Sequence, residues 1–461
     1  MTAQSIARTT PAVHARVHRK MAIKILPIVM LGMFISYIDR ANLGVIAGPL
    51  SIDLGLTAAS FGLAAGFFYI GYLFFEIPSN MILAKVGARL WLGRIMLTWG
   101  IITIAMAFMQ NEVTLFIMRF LLGLAEAGYS PGVALFLALW FPAHLLPRAY
   151  SFLNLAVPIA LCIGSVVTSS ILLLDGVGGI AGWRWVFIIE GIPAIALAIY
   201  IFFALPSTPA KAKWLTEDEK AYLESSTTQP ESADAHKFKS FTAAMRRPSL
   251  WVFAATYFTM LIGYWSITYF LPTIVREQFG LGVVASGFIS AIPWVVAAIG
   301  MFVVLRSIKR TGDRKWHLTG LMAAAALGLF FGVISGNPYL ALLGITIAAT
   351  GFFGALSTFQ ATILQVYAGA LAAVSIAFVN SMGNISGLVG PYVLGALTDR
   401  TGSTNAGLLI MSGFFAIATV LIYFLMRWAD RETGGLAGSV RATDQAIAAT
   451  TISTTISTTA R

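Results

Sequence analysis

Twelve runs of roughly 20 predominantly apolar residues, each long enough at about 1.5 Å per residue to cross some 30 Å of hydrocarbon, govern what this chain can become. They fall near 23–48, 57–84, 90–109, 113–140, 147–173 and 184–204, then near 249–273, 283–305, 316–335, 338–365, 370–397 and 406–428. Lipid offers no water to stray backbone groups, so such runs are confined to helices. Composition agrees: of 461 residues 58% are hydrophobic and 11% charged, against about 25% charged in soluble domains. The expected fold class is an all-α polytopic membrane protein of 12 transmembrane helices in two sets of six. Its expected segments are a cytoplasmic N-terminal tail (1–22), an N-terminal six-helix bundle (23–204), a cytoplasmic central loop (205–248), a C-terminal six-helix bundle (249–428) and a disordered cytoplasmic tail (429–461).

A formal net charge of +11 would suit nucleic acid as well as a membrane, so the position of the basic residues decides. All but five of the 30 lysines and arginines lie in the termini or near the loops on the same side, the exceptions being Arg40, Arg119, Arg184, Arg276 and Arg400. That bias orients the chain with both termini cytoplasmic, as a multi-pass protein of the plasma membrane, and removes nucleic acid as a partner. The basic N-terminus is not followed by a short apolar segment with a small-residue cleavage site, so no removable signal peptide is expected. Cys162 is the single cysteine, and His14, His18, His144, His236 and His317 do not pair at ligand spacing within a span, so no metal site is expected. In the central loop, Thr216 and Glu219 of WLTEDEKAYLE have capping-box spacing, which predicts a short surface helix.

Ionisable residues inside the spans are concentrated in the first half: Asp39 and Arg40, Glu76, Arg119 and Glu126, and Glu190. Each costs roughly 2.5 to 3.5 kcal/mol on insertion scales, so such residues face a partner or a wet cavity and mark substrate or ion pathways. Arg119 and Glu126, in MRFLLGLAEAG, are seven residues apart and project from one helix face. Asp39 and Arg40 repeat the cation and carboxylate pairing in the first span. Paired arginines suit bidentate capture of an organic anion, and desolvated carboxylates suit proton carriage. The competing reading is that both pairs are ion pairs that fix helix packing. Glu76 and Glu190 read first as gating or packing groups. Later spans offer neutral polar residues instead, among them Tyr264, Tyr269, Gln360, Gln365, Asn380, Ser381 and Asn384.

The six-plus-six layout, YIDRAN, FLLGLAEAGYSPG followed by LWFP and Arg148-Ala149, GWRWVFIIEGIPA, LPSTPAKAKWLTEDEKAYL and FVNSMGNISGLVGPYVLG together resemble the anion:cation symporter family of the major facilitator superfamily, from about residue 19 to 428. The resemblance implies a major facilitator fold in which two six-helix bundles rock about a central site. It implies Asp39 and Glu126 as the proton-coupling pair, Arg40 and Arg119 as substrate-binding or salt-bridged groups, and Tyr37, Tyr72, Asn380 and Asn384 as further substrate-lining residues. Two departures stand out. The usual Gly, Asp-Arg, Gly signature between spans 2 and 3 reads NMILAKVG, keeping only Gly87 for its gating or packing role. The Asn-x-x-Gln phrase typical of sugar-acid carriers reads NLAV, with Val157 replacing the glutamine. That loss points away from a hexonate and toward a dicarboxylate such as tartrate or an aromatic carboxylate. GALTDRTG at 395–402 looks like the missing signature but falls on the outer face, where it reads as a helix end.

The expected function is secondary active transport, a proton-coupled uptake of an organic carboxylate by alternating access. A small organic anion and the lipid bilayer are the expected partners, with no cofactor, sodium as the alternative coupling ion, and a monomer sufficing. The alternatives are a drug or cation exporter of the same fold, against which the paired arginines speak, and a non-transporting membrane receptor. An enzyme is not expected: the chain has no phosphate-binding loop, nucleophile elbow or histidine cluster.

Overall fold

The computed structural model describes residues 11–142, 145–227, 244–367 and 369–432, which are helical with short connections. In chain order the helices are α1 (Pro11–Lys24), α2 (Leu26–Val45), α3 (Ala47–Leu54), α4 (Ala58–Val86), α5 (Ala88–Met106), α6 (Glu112–Glu126), α7 (Tyr129–Trp140), α8 (Leu146–Ile171) and α9 (Gly182–Ala204). After α10 (Glu217–Ser226) come α11 (Pro248–Phe279), α12 (Val283–Ile289), α13 (Ala291–Thr311), α14 (Lys315–Ile334), α15 (Pro338–Val366), α16 (Gly369–Thr401) and α17 (Asn405–Glu432). Twelve crossings result, because α2 with α3, α6 with α7, and α12 with α13 each form one interrupted crossing.

Over the described residues eleven of the crossings qualify on length and hydropathy. The twelfth is α16, whose 33 residues carry glycine, serine and asparagine through the middle. It packs between α4 and α11, with small residues allowing the close approach.

Contacts between the halves gather at the end remote from the termini, where α4 meets α16. A Cβ on Gly62 would sit 2.2 Å from the Pro391 carbonyl oxygen, and one on Gly395 only 2.0 Å from that of Ala58. These glycines let two backbones touch, as small residues do in membrane bundles. Asp399, in the last turn of α16, accepts hydrogen bonds from the amides of Ala58 (2.9 Å) and Ala59 (2.8 Å) at the start of α4. A carboxylate on a helix N-terminus satisfies orphan donors and the dipole together. GALTDRTG is thus a helix end, and its aspartate ties the two halves together. Toward the termini the halves meet more loosely, Asn154 of α8 lying 3.4 Å from Ser357 of α15.

The N-terminal tail folds from Pro11 into α1. Val13, Val17 and Met21 recur at a spacing of four and are all buried, a stripe masked by the surrounding basic residues. Helix α1 docks on α10, the helix foreseen from Thr216 and Glu219, whose reciprocal capping box forms. Lys20 donates to Glu219 Oε2 (2.7 Å) and to the Trp214 carbonyl (3.0 Å), and the His14 ring stacks on Tyr222 at 4.1 Å. Burial pushes the Glu219 carboxyl up, but hydrogen bonds from Lys20 and from the Thr216 amide outweigh it and leave the carboxyl below its ordinary value. A depressed carboxylate stabilises docking above its unfolded value and loses that contribution as pH falls through the folded one. Glu219→Ala is therefore expected to free α1, read as faster tryptic cleavage at Arg16, Arg19 and Lys20; cleavage at the wild-type rate would show that the apolar stripe alone holds the helix. The tail from 433 and the linker at 228–243 lie outside the described residues.

Candidate functional site

The fourth crossing, expected as one helix over 113–140, is broken at the residue that matters most. Helix α6 ends at Glu126, Ala127 leaves helical geometry (φ −55°, ψ 132°), and Gly128 adopts φ +86° before α7 begins. At that φ an L side chain is strained, and a Cβ would also lie 2.2 Å from Ser79 Oγ. Ser79 is fixed there, donating to the Ala127 carbonyl (2.7 Å) and accepting from Trp91 Nε1 (2.9 Å). The GLAEAG glycine signals this break only in hindsight, since apolar residues continue on both sides.

Glu126 consequently sits at a helix C-terminus, where the dipole disfavours an anion. Its partner is Arg40, whose Nε (2.9 Å) and Nη2 (2.5 Å) both donate to Oε1, with Ser36 Oγ adding a third donor at 2.5 Å. Ser36 precedes Arg40 by one turn and so shares its face. Glu126 Oε2 has no partner among the described residues. The Arg40 guanidinium also lies 4.9 Å from the Phe68 ring centre and 5.3 Å from those of Tyr37 and Tyr72. Two expected pairings are corrected here: Arg40 binds Glu126 rather than its neighbour Asp39, and Arg119, though in α6 with Glu126, does not pair with it.

Arg119 is fully buried, 5.1 Å from the same Phe68 ring. Its polar contacts are long, 3.4 Å to the Ala64 carbonyl and 3.4 Å to Tyr269 Oη, and Nη1 has no partner among the described residues. A buried guanidinium without a carboxylate is expensive unless an anion comes to it. The opposite wall comes from α11, α15 and α16. Tyr269 meets Tyr69 oxygen to oxygen at 3.4 Å, Trp265 lies parallel to Tyr37 with ring centres 6.5 Å apart, and Gln360 donates to Tyr257 Oη at 3.2 Å. Trp265 Nε1 and Tyr264 Oη are buried without partners among the described residues.

Asn380 and Asn384 are half-buried. They share a face of α16 with Gly387, whose Cα presses on the Tyr69 ring, and so lie successive turns beyond that ring toward the termini. Glu76 is half-buried one turn past Tyr72 in the same direction. Gly87 joins α4 to α5 at φ +87°, so its backbone conformation, rather than any contact, demands glycine. Gln365 lies outside the site, accepting from Arg314. Asp39 belongs to a separate cluster: it accepts from Thr103 (3.1 Å) and Asn42 (3.4 Å), and Asn42 bridges it to Glu190 (2.8 Å). Asn42, Thr103, Ser36 and Trp265 escaped sequence reasoning because single polar or aromatic residues in apolar helices carry no spacing pattern. Among the described residues no group of three or more His, Cys, Asp or Glu is placed to hold a metal.

Two six-helix halves meeting around buried arginines and carboxylates define a multi-pass membrane transporter rather than an enzyme. The comparisons make this specific: the Major Facilitator Superfamily model matches residues 29–391, and the chain belongs to that family. It is 38% identical over 418 residues to an Agrobacterium vitis protein named "Putative tartrate transporter", covering 91% of this chain and 93% of that one. It is 34% identical over 415 residues to a quinolone resistance transporter of Acinetobacter baumannii, covering 90% and 96%. In fold it resembles a bacterial homolog of the human lysosomal transporter Spinster in an inward-facing, unoccupied conformation, with TM-score 0.73, 16% identity and coverage of 92% and 99%. It also resembles a D-xylose-proton symporter, with TM-score 0.71, 16% identity and coverage of 87% and 97%.

Proposed function

We propose that this chain imports an organic carboxylate across the plasma membrane together with protons, as a monomer, by alternating access. The observation that carries this reading is Arg119, a buried cation with no ion-paired carboxylate among the described residues, beside Arg40, a buried cation held by Glu126. Protonation of Glu126 from the outer side removes the charge that occupies Arg40. Both guanidiniums, each against Phe68, are then available to the carboxylates of one small anion. After closure and reopening toward the cytoplasm, the higher pH there withdraws the proton, Glu126 reclaims Arg40, and the anion is displaced. Asp39 serves as the second proton carrier, with sodium as the alternative coupling ion. The facing rings of Tyr37 and Trp265 suit a short or flat acid, and buried Val157 provides no hydrogen bond for a polyol chain.

The test is internal acidification of proteoliposomes holding the purified protein, followed by a pH dye while tartrate, phthalate, 4-hydroxyphenylacetate, galactonate and glucarate are added outside in turn. Acidification is expected with tartrate or an aromatic acid. In Arg119→Ala it should fall at least about tenfold, because a charge-assisted hydrogen bond contributes roughly 1.5–3 kcal/mol. Silence across the panel from folded protein would sink the reading. Export is the second reading, favoured by the quinolone resistance relative. Quinolone antibiotics also carry a ring-borne carboxylate, so direction of flux rather than the arginines separates the two.

A further inference from the structure

Asp39, Asn42 and Glu190 form a second buried polar cluster, and its charges do not balance. Asn42 Nδ2 donates to Glu190 Oε2 at 2.8 Å and to Asp39 Oδ1 at 3.4 Å, while Thr168 donates to Glu190 Oε1 at 2.6 Å and Thr103 to Asp39 Oδ2 at 3.1 Å. The three residues are 2%, 1% and 6% exposed. Among the described residues no Lys, Arg or His hydrogen-bonds to either carboxylate. Of the charged groups on the surrounding helices, Arg119 and Glu126 act on Asp39, one of each sign, and Arg40 is committed to Glu126. Glu190 also lines a cavity of about 620 Å³ between α2, α8 and α9, whose other walls, Tyr200 apart, are aliphatic, aromatic or proline side chains such as Ile28, Leu31, Phe34 and Pro193.

Two adjacent anions in such surroundings cost far more than donors from one amide, two hydroxyls and the Trp99 indole return. Asn42 supplies the second clue: its Oδ1 is buried without a partner among the described residues, although both amide hydrogens are used. Turned over, which is an equivalent assignment of the amide's two ends, the same side chain would present Oδ1 to the carboxylates. An acceptor there is satisfied only by a carboxylic O–H.

We propose that Asp39 and Glu190 share a single proton across Asn42, which makes Glu190 a third proton-holding group beside Asp39 and Glu126. In one arrangement Glu190 carries the proton and donates it as a hydrogen bond to Asn42 Oδ1, while Asp39 stays ionised and accepts from Thr103. In the other Asp39 carries it, and Glu190 keeps Thr168 and the Asn42 amide. The site holds one proton and one negative charge in either form, so loading a second proton neutralises it. Its role in transport rests on the symport reading above; the presence of the shared proton does not.

Infrared difference spectroscopy of the purified protein in lipid, titrated with pH without substrate, tests this directly. A protonated-carboxyl stretch is expected at neutral pH, lost or shifted in Glu190→Gln and in Asp39→Asn and unmoved in Glu126→Gln. Thr168→Val, nearly isosteric, should shift the band without removing it, and thermal unfolding confirms that each variant is folded. A band unmoved by Glu190→Gln, or missing from the wild type at neutral pH, overturns the proposal. So does a band that appears only when sodium is withdrawn, which would make this a sodium site. Because the readout needs neither substrate nor flux, its failure leaves symport standing, and silent proteoliposomes leave the shared proton standing.

Discussion

Glu126→Gln is expected to abolish proton-driven accumulation of the transported acid while substrate exchange down its gradient persists. The carboxamide keeps the shape of Glu126 and still accepts from Ser36 and Arg40, but it neither titrates nor carries charge. Arg40 then lacks the anion that now binds it through two nitrogens, and the site rests permanently in the form that binds substrate. Apparent affinity for the acid should become insensitive to external pH. Counterflow of labelled acid should survive, and uptake driven by an imposed pH step should fall by more than about tenfold, since a one-unit difference in proton affinity already corresponds to about 1.4 kcal/mol. Wild-type accumulation by this variant would show that Glu126 is a structural partner of Arg40 and nothing more.

Gly62→Val is expected to act on conformation rather than on chemistry. The nearest obstacle to a Cβ at Gly62 is the Pro391 carbonyl oxygen at 2.2 Å, followed by the Pro391 carbonyl carbon at 2.6 Å, so the clash is with main chain that has no rotamer to adopt. Restoring ordinary contact, roughly 3.5 Å between heavy atoms, requires α4 and α16 to part by about 1 Å at least. That separation would also break the two hydrogen bonds from Asp399 to the start of α4. Interfaces of this kind are bistable rather than elastic, so the population should move to the state open at the outer face. Spin labels on the outer ends of α4 and α16 should report longer distances, and a thiol probe should react with a cysteine placed at Ser60 many times faster. Distances equal to wild type in a folded, inserted variant would mean that the glycine contact does not hold the outer face shut.

The crossings were readable from hydrophobic length because lipid leaves a polypeptide so few options. Helix α16 was readable in the same way, although glycine, serine and asparagine run through its middle. Helix α1 was not, its buried stripe of three residues being hidden by the basic residues around it. Within the site, Arg40, Arg119, Glu126 and Asp39 were legible as costly charges, and the structure gathers Arg40 with Glu126 and leaves Arg119 without an ion pair among the described residues. Their partners were not legible, because pairing depends on which helices are neighbours. Adjacent in sequence, Asp39 and Arg40 point to different neighbours, one to α5 and α9 and the other to α6. The break after Glu126 was likewise invisible, since it depends on Ser79 and Trp91 in two other helices.

The charges at the heart of the molecule belong to α2, α6 and α9, whereas the facing wall on α11, α15 and α16 is made of aromatic rings and amides. On the symport reading proposed above, the proton-carrying carboxylates and the anion-binding arginines share the first half, and the second half supplies a neutral wall that can be altered apart from them. On that reading, redesign of which acid is accepted should begin at Tyr257, Trp265, Gln360, Asn380 and Asn384, because changes there alter the wall facing the ligand while leaving every buried charge in place.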